Sequence, residues 1–296
     1  MARPKIKRNE LFARVRARRE GILAQEITPD GRLLPARTIE QYGEQKLTYL
    51  RKYLWIYSAI ISNHFDKMWY LETCSGPGVN QIKNSERRVL GTPMLALTNE
   101  PNFTGYRFVE LNLDLKNALD ARIAHYCPGV DAKVEHGDCN LAFERALADI
   151  GHNDHFLAFM DPEGLELKWD RTVALAGRFP HSELYINFTY HMAIQRLITT
   201  PSCEQTVTEY MGSDKWIAIR DQYVSGKINH NQFRQGMLNL YLDGLRNLGY
   251  SLTTVSDVIR GANHQPLYYL IHATKAEVAQ DTMKDVMRVK KQQTLF

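Results

Sequence analysis

Hydrophobic positions change period along the chain, and each change marks a new element. From 39 to 64, Ile39, Tyr42, Leu50, Tyr53, Leu54, Tyr57 and Ile61 recur at helical intervals, and Thr38-Ile39-Glu40-Gln41 precedes them at capping-box spacing. One long helix with a core-facing stripe is predicted. Short apolar runs rich in β-branched and aromatic residues follow at 67–72, 105–110, 132–136, 155–160 and 183–188. Helix-like segments at 93–99, 113–125, 140–150 and 169–178 separate them. Strands alternating with helices predict an α/β chain with a mostly parallel sheet covered on both faces. Residues 191–247 show no strand pattern and read as a helical insertion broken at Pro201, Gly212 and Gly226. The runs 250–255 and 267–273 then read as an antiparallel pair at the sheet edge, and a last helix is expected over 275–289.

A chain of 296 residues, 44% hydrophobic, is large enough to bury a substantial core. No run approaches the roughly 20 apolar residues of a membrane span, and the first residues lack the apolar stretch of a secretory signal. A cytoplasmic protein is expected. Cys74, Cys127, Cys139 and Cys203 form no C-x-x-C pair, which excludes a zinc-finger or disulfide framework reading.

The net charge of +4 is unevenly spread: within residues 1–19, Arg3, Lys5, Lys7, Arg8, Arg14, Arg16, Arg18 and Arg19 face Glu10 alone. With few apolar residues and prolines at 4, 29 and 35, residues 1–36 read as a basic extension of a domain spanning 37–296. Such an arm suits either nucleic-acid phosphates, contacted through residues 1–19, or a solvated or protein-facing role.

Candidate chemistry concentrates at the strand ends. An acid closes each of the first four strands: Glu72, Glu110, Asp138 and Asp161, spaced as successive strand–helix units require. In parallel sheets the carboxyl ends of strands form the ligand rim. Glu72 is followed by Cys74-Ser75-Gly76-Pro77-Gly78, where two glycines let backbone approach a sugar or phosphate. S-adenosylmethionine fits this series: Glu72 for the ammonium, Gly76 and Gly78 for the turn, Glu110 for the ribose hydroxyls, and Asp138 beside Cys139 for the adenine. A nicotinamide fingerprint is disfavoured because Gln81 stands at the third glycine and a polar stretch precedes the next helix. That stretch, 80–90, reads as a loop whose Asn80, Arg87 or Arg88 meets a substrate, ahead of a helix capped by Thr92 with Pro93 in its first turn.

Asp161-Pro162-Glu163-Gly164 ends a buried strand at the place where amino-group methyltransferases carry D-P-P-Y, with Glu163 and Gly164 in place of the second proline and the aromatic ring. Asp161, Pro162 and Glu163 are the candidate catalytic group, Glu163 either as a base or as a helix cap. Asn187, Tyr190 and His191 follow the fifth strand and are candidate acceptor contacts. The competing reading of the acids is that they cap helices.

These motifs, from Tyr70-Leu71-Glu72-Thr73-Cys74-Ser75-Gly76-Pro77-Gly78 through Gly91-Thr92-Pro93, Phe108-Val109-Glu110, Met160-Asp161-Pro162-Glu163-Gly164 and Ile186-Asn187-Phe188 to Pro266-Leu267-Tyr268-Tyr269-Leu270, resemble the three-Cys-motif partner family. Glu72 and Cys74 depart from its pattern, where aspartate and an aromatic residue are more usual. The resemblance implies a Rossmann-like class I methyltransferase fold, S-adenosylmethionine as cofactor, and a radical S-adenosylmethionine protein bearing three cysteines as partner. It leaves two functions open: a methyltransferase acting on nucleic acid or a nucleotide-like acceptor, or a non-catalytic partner or nucleic-acid-binding module.

Overall fold

The structure, a computed structural model, describes residues 8–24, 33–261 and 263–288. In chain order the elements are α1 (Arg8–Ala24), β1 (Arg37–Ile39), α2 (Gly43–Ile61), β2 (Met68–Glu72), β3 (Val79–Ile82), β4 (Arg88–Leu90), α3 (Thr92–Leu97), β5 (Gly105–Glu110), α4 (Leu113–Tyr126), β6 (Ala132–His136), α5 (Cys139–Leu147), β7 (His155–Met160), α6 (Trp169–Arg178) and β8 (Ser182–Phe188). A π-helical turn at Tyr190–Ile194 opens the insertion, followed by α7 (Gln195–Leu197), α8 (Glu204–Met211), α9 (Trp216–Val224) and α10 (His230–Asn247). β9 (Leu252–Val255), β10 (Ile259–Arg260), β11 (Pro266–Thr274) and α11 (Glu277–Arg288) complete the described chain.

The central sheet runs β10-β11-β8-β7-β2-β5-β6, with β9 also paired to β11. Strands β6, β5, β2, β7 and β8 are parallel, and β11 enters antiparallel beside β8. This order, with β2 central and one reversed strand near the edge, is the Rossmann-like class I methyltransferase architecture anticipated from the motifs. Alternation along β2 divides the core. Trp69 and Leu71 join the cluster under α5, α6 and the insertion, whereas Met68 and Tyr70 join the cluster under α2, α3 and α11. Both sheet faces are therefore covered, which explains why the inner strands β5, β2, β7 and β8 are buried along their whole length, whereas the edge strand β6 is only partly so.

Several local expectations are corrected. Thr38 and Gln41 form no capping box, because Arg37–Ile39 pairs in parallel with β3 and α2 begins only at Gly43. Residues 80–90 are no loop: β3 and β4 form an antiparallel hairpin that joins β1 in a second, three-stranded sheet. Gly91, rather than Thr92, occupies the N-cap of α3. The basic segment is in part a packed helix, with Val15 and Ile22 of α1 buried and Phe12 against Trp55. Arg14 pairs with Glu100, Arg16 with Glu20, Arg18 donates to the Tyr126 carbonyl and Arg19 to Thr98. Arg3, Lys5 and Lys7 lie outside the described residues. The insertion breaks where expected: Pro201 opens a 3-10 turn, and Gly212 ends α8 in the left-handed conformation at φ 65°.

Candidate functional site

The turn after β2 is built by glycines and held by backbone hydrogen bonds and buried side chains. Gly76 and Gly78 have φ of 66° and 85°, a region that side-chain-bearing residues avoid. A Cβ on Gly78 would fall 2.8 Å from Met94 Cγ and 3.0 Å from Leu119 Cδ1, both of them buried. The Gly78 carbonyl accepts from Gly91 N–H at 2.7 Å, and the Ser75 amide donates to Val109 at 2.9 Å. Arg122 of α4, fully buried, donates to the carbonyls of Pro77 at 2.6 Å and Pro35 at 2.9 Å. The turn thus sits fixed between β5, α3 and the segment leading into β1.

The four acids take different positions on the rim. Glu110 accepts from the Gly76 amide at 2.7 Å and the Asn112 amide at 2.9 Å, so it closes onto the turn while keeping lone pairs for further donors. Asp138 caps α5 through one oxygen, which accepts from Asn140 N–H at 2.8 Å and from the Asn140 side chain at 3.1 Å. Its other oxygen makes no hydrogen bond to a described residue. Glu72 lies beneath the rim, wholly buried, accepting from the Thr92 hydroxyl and from Tyr70 OH at 3.3 Å. Burial pushes its carboxyl well above the ordinary range, with Thr92 and Lys46 pulling against that and Asp161 adding to it. The anticipated ammonium contact through Glu72 thus has no open face, and its observed work is to tie β2 to α3.

Asp161 stands between two elements. Asn187 Nδ2 donates to one oxygen at 2.7 Å, and Lys46 of α2 pairs with the other. Both members of that pair are mostly shielded from water. Lys46 was not singled out from the sequence, yet it lies four residues before Leu50 and seven before Tyr53, on the apolar stripe of the helix, where a charge is out of place. Pro162 is buried, whereas Glu163 is exposed and paired with Arg37 of β1. Arg37 passes over the glycine turn, its Nη1 3.9 Å from where a Cβ on Gly76 would stand. It bridges the two lips of the rim.

Cys139, at the first turn of α5, neighbours Cys74 from the β2 loop, and that neighbour, followed by burial, pushes the Cys74 thiol well up. Asn80 is buried on β3 beside Gly91. Arg87 is held by Glu44, with one contact at 2.8 Å, and Arg88 donates to Gln81 at 3.1 Å, so both belong to the hairpin and the start of α2. Tyr190 and His191 occupy the π-helical turn directly after β8, an irregularity that often accompanies function. Asn187 Oδ1, Tyr190 OH and His191 Nδ1 are buried and unpartnered. Two cavities, of about 750 and 200 Å3, lie elsewhere: one beside Arg14, Phe65 and Glu100, the other between α1 and the start of α2.

Strand order defines a Rossmann-like α/β fold with a mostly parallel sheet. No family model matches the sequence, and no curated protein matches it. Among solved structures, a Legionella pneumophila protein of the family designated DUF519 shares the fold at TM-score 0.53 and 11% identity, over 81% of this chain and 90% of that one. Looser likenesses include the O-methyltransferase TomG of Streptomyces achromogenes, solved with S-adenosylmethionine (TM-score 0.41, 13% identity, 92% of each chain). A further one is the O-methyltransferase of Bacillus cereus with S-adenosylhomocysteine (TM-score 0.39, 10% identity, 92% of each chain). Identities this low speak to fold alone, and no residue role is taken from them. Among the described residues there is neither a metal-binding cluster of His, Cys, Asp or Glu nor a helix long and apolar enough to cross a membrane.

Proposed function

We propose that the chain is an S-adenosylmethionine-dependent methyltransferase whose acceptor is a nucleic acid or a nucleotide-like molecule. The observation that carries this reading is the closure of Glu110 onto the Gly76 amide at 2.7 Å, which puts a carboxylate beside a side-chain-free turn on the central rim. The residues present fit the cofactor. Glu110 retains acceptor capacity for the ribose hydroxyls, Gly76 and Gly78 leave the turn bare, and the second oxygen of Asp138 suits an adenine amine, with Cys139 lining the same corner. When bound, S-adenosylmethionine supplies an electrophilic methyl group on a sulfonium. Asp161 and Asn187 orient the acceptor, Lys46 fixes the Asp161 side chain by pairing with it, and Arg37 with Glu163 shields the rim from water. Catalysis on this reading is positioning and desolvation rather than activation by a strong base.

Calorimetry with S-adenosylmethionine and S-adenosylhomocysteine tests the reading. Micromolar binding is expected; a folded protein that binds neither refutes it. A second reading is favoured by the engagement of both Asp161 oxygens and by the pairing of Glu163 with Arg37: a methyltransferase-fold partner of a radical S-adenosylmethionine protein, as resemblance to the three-Cys-motif partner family implies. Cofactor binding without methyl transfer from labelled cofactor to any component of a cell extract supports that alternative. Under either reading, nucleic-acid contact through residues 1–19 falls mainly to Arg3, Lys5, Lys7 and their neighbours, since Arg14, Arg16, Arg18 and Arg19 have partners within the chain.

A further inference from the structure

One guanidinium and two imidazoles stand beside the acceptor side of the rim, and among the described residues no acid is paired with them. β8 delivers Asn187 to Asp161, and three residues later the π-helical turn sets Tyr190 and His191 against α10. His230 and Arg234 lie one helical turn apart on α10. The rings of Tyr190 and His230 are 6.1 Å apart between centroids. The charge of Arg234 acts on Tyr190, on His230 and on Tyr269, the β11 residue paired opposite Phe188. Burial first, then Arg234 and His191, lowers the pKa of His230. Arg234 makes neither an ion pair nor a hydrogen bond with any described residue, which is unusual for a half-buried guanidinium with five donors. Within the same cluster Tyr190 is 1% exposed with its hydroxyl unpartnered, and His191 Nδ1 is buried and unpartnered. Unsatisfied donors and uncompensated positive charge, gathered at one spot, describe a seat for an oxyanion.

We propose that Arg234, His230, His191 and Tyr190 form the phosphate-binding half of the acceptor site, so that the acceptor is a nucleotide unit, free or within a nucleic acid, with its base turned toward Asp161 and Asn187. This rests on the methyltransferase reading for the role of the base, but the phosphate seat is independently measurable. Arg234 supplies a planar fork matched to phosphate oxygens, and half-exposed Tyr269 offers a ring on which a base or sugar stacks. The seat needs no contribution from the basic N-terminal segment.

The test measures binding of adenosine monophosphate by calorimetry and of a fluorescein-labelled twelve-nucleotide single-stranded RNA by anisotropy, using the full chain and two variants. The proposal expects at least one probe to bind. Arg234→Gln is expected to weaken binding by about tenfold, the loss of one charge-assisted contact, and to reduce the salt slope of RNA binding by about one unit. Arg234→Lys is expected to retain part of the affinity, which separates lost charge from disturbed packing. Binding of the mononucleotide alone identifies a free nucleotide acceptor; binding confined to the RNA identifies a nucleic acid. Absence of binding by both probes overturns the proposal, as does equal affinity and salt slope in wild type and Arg234→Gln. Calorimetry with S-adenosylmethionine on the same samples reports the cofactor site separately, so failure of one reading is distinguishable from failure of the other.

Discussion

Replacing Gly78 by alanine isolates what the glycine turn contributes. At φ 85° an L-residue enters the left-handed region, which costs about 1–2 kcal/mol. The new methyl would also stand 2.8 Å from Met94 Cγ and 3.0 Å from Leu119 Cδ1. Those side chains are fully buried and cannot swing into solvent, so overpacking adds about 1–3 kcal/mol, for a total of roughly 2–5 kcal/mol. Gly129 supplies the control: its φ is 79°, but nothing lies within 4 Å of the point a methyl group there would occupy, so alanine bears only the backbone cost of about 1–2 kcal/mol. Urea denaturation of both variants measures the difference. Because displacement of the turn also moves the Gly76 amide from Glu110, Gly78→Ala is expected to weaken S-adenosylmethionine binding by about tenfold, the worth of one hydrogen bond to a charged group, whereas Gly129→Ala leaves it unchanged. If Gly78→Ala is no less stable than Gly129→Ala and binds cofactor equally well, the turn is neither close-packed nor part of the binding site.

Asp138→Ala removes the cap of α5, expected to cost about 1 kcal/mol, and should weaken cofactor binding by calorimetry as well; unchanged affinity would exclude Asp138 from the adenine site. Lys46→Met leaves Asp161 without its cation and is expected to slow transfer of labelled methyl to extract while cofactor affinity stays near wild type; equal transfer rates would remove Lys46 from the acceptor side. Burial lowers the His155 pKa from 6.5 to about 4, against the opposing charge of Glu183, so the unfolded chain takes a proton that the native chain refuses. That contribution to stability, about 3 kcal/mol, is complete above pH 6.5 and is lost as pH falls toward 4; His155→Gln should flatten denaturation midpoints across that interval, and an unchanged slope would refute the assignment. The Cys74 thiol, raised by Cys139 and by burial, should react slowly with a disulfide reagent at pH 8 until the protein is unfolded; fast native labelling at Cys74 would contradict its environment.

The parallel core was legible because strands covered on both faces need no alternation: 105–110, 155–160 and 183–188 stand out as largely apolar runs, and α6 falls where its helical pattern lies. The β1–β3–β4 sheet was not, since the pairing of Arg37 with Asn80 joins segments some forty residues apart and leaves no local period in either. Among site residues, the series of strand-end acids located the rim, but sequence could not say which oxygens are consumed. Glu72 is used by Thr92 and Tyr70, and Asp138 is shared with a helix end. Arg234 and His230 escaped notice because a basic i, i+4 pair on an insertion helix reads as a solvated face until the helix is docked against β8.

Arg122 gives the architecture one more property. A single guanidinium grips both the bend that follows the central strand and the chain leading into β1, through Pro77 and Pro35. Peeling away that leading segment strips the bend of its brace, and a molecule that stiffens the bend must also hold the segment down. A ligand that favoured the braced bend would therefore favour the docked segment too, by the same free energy in each direction.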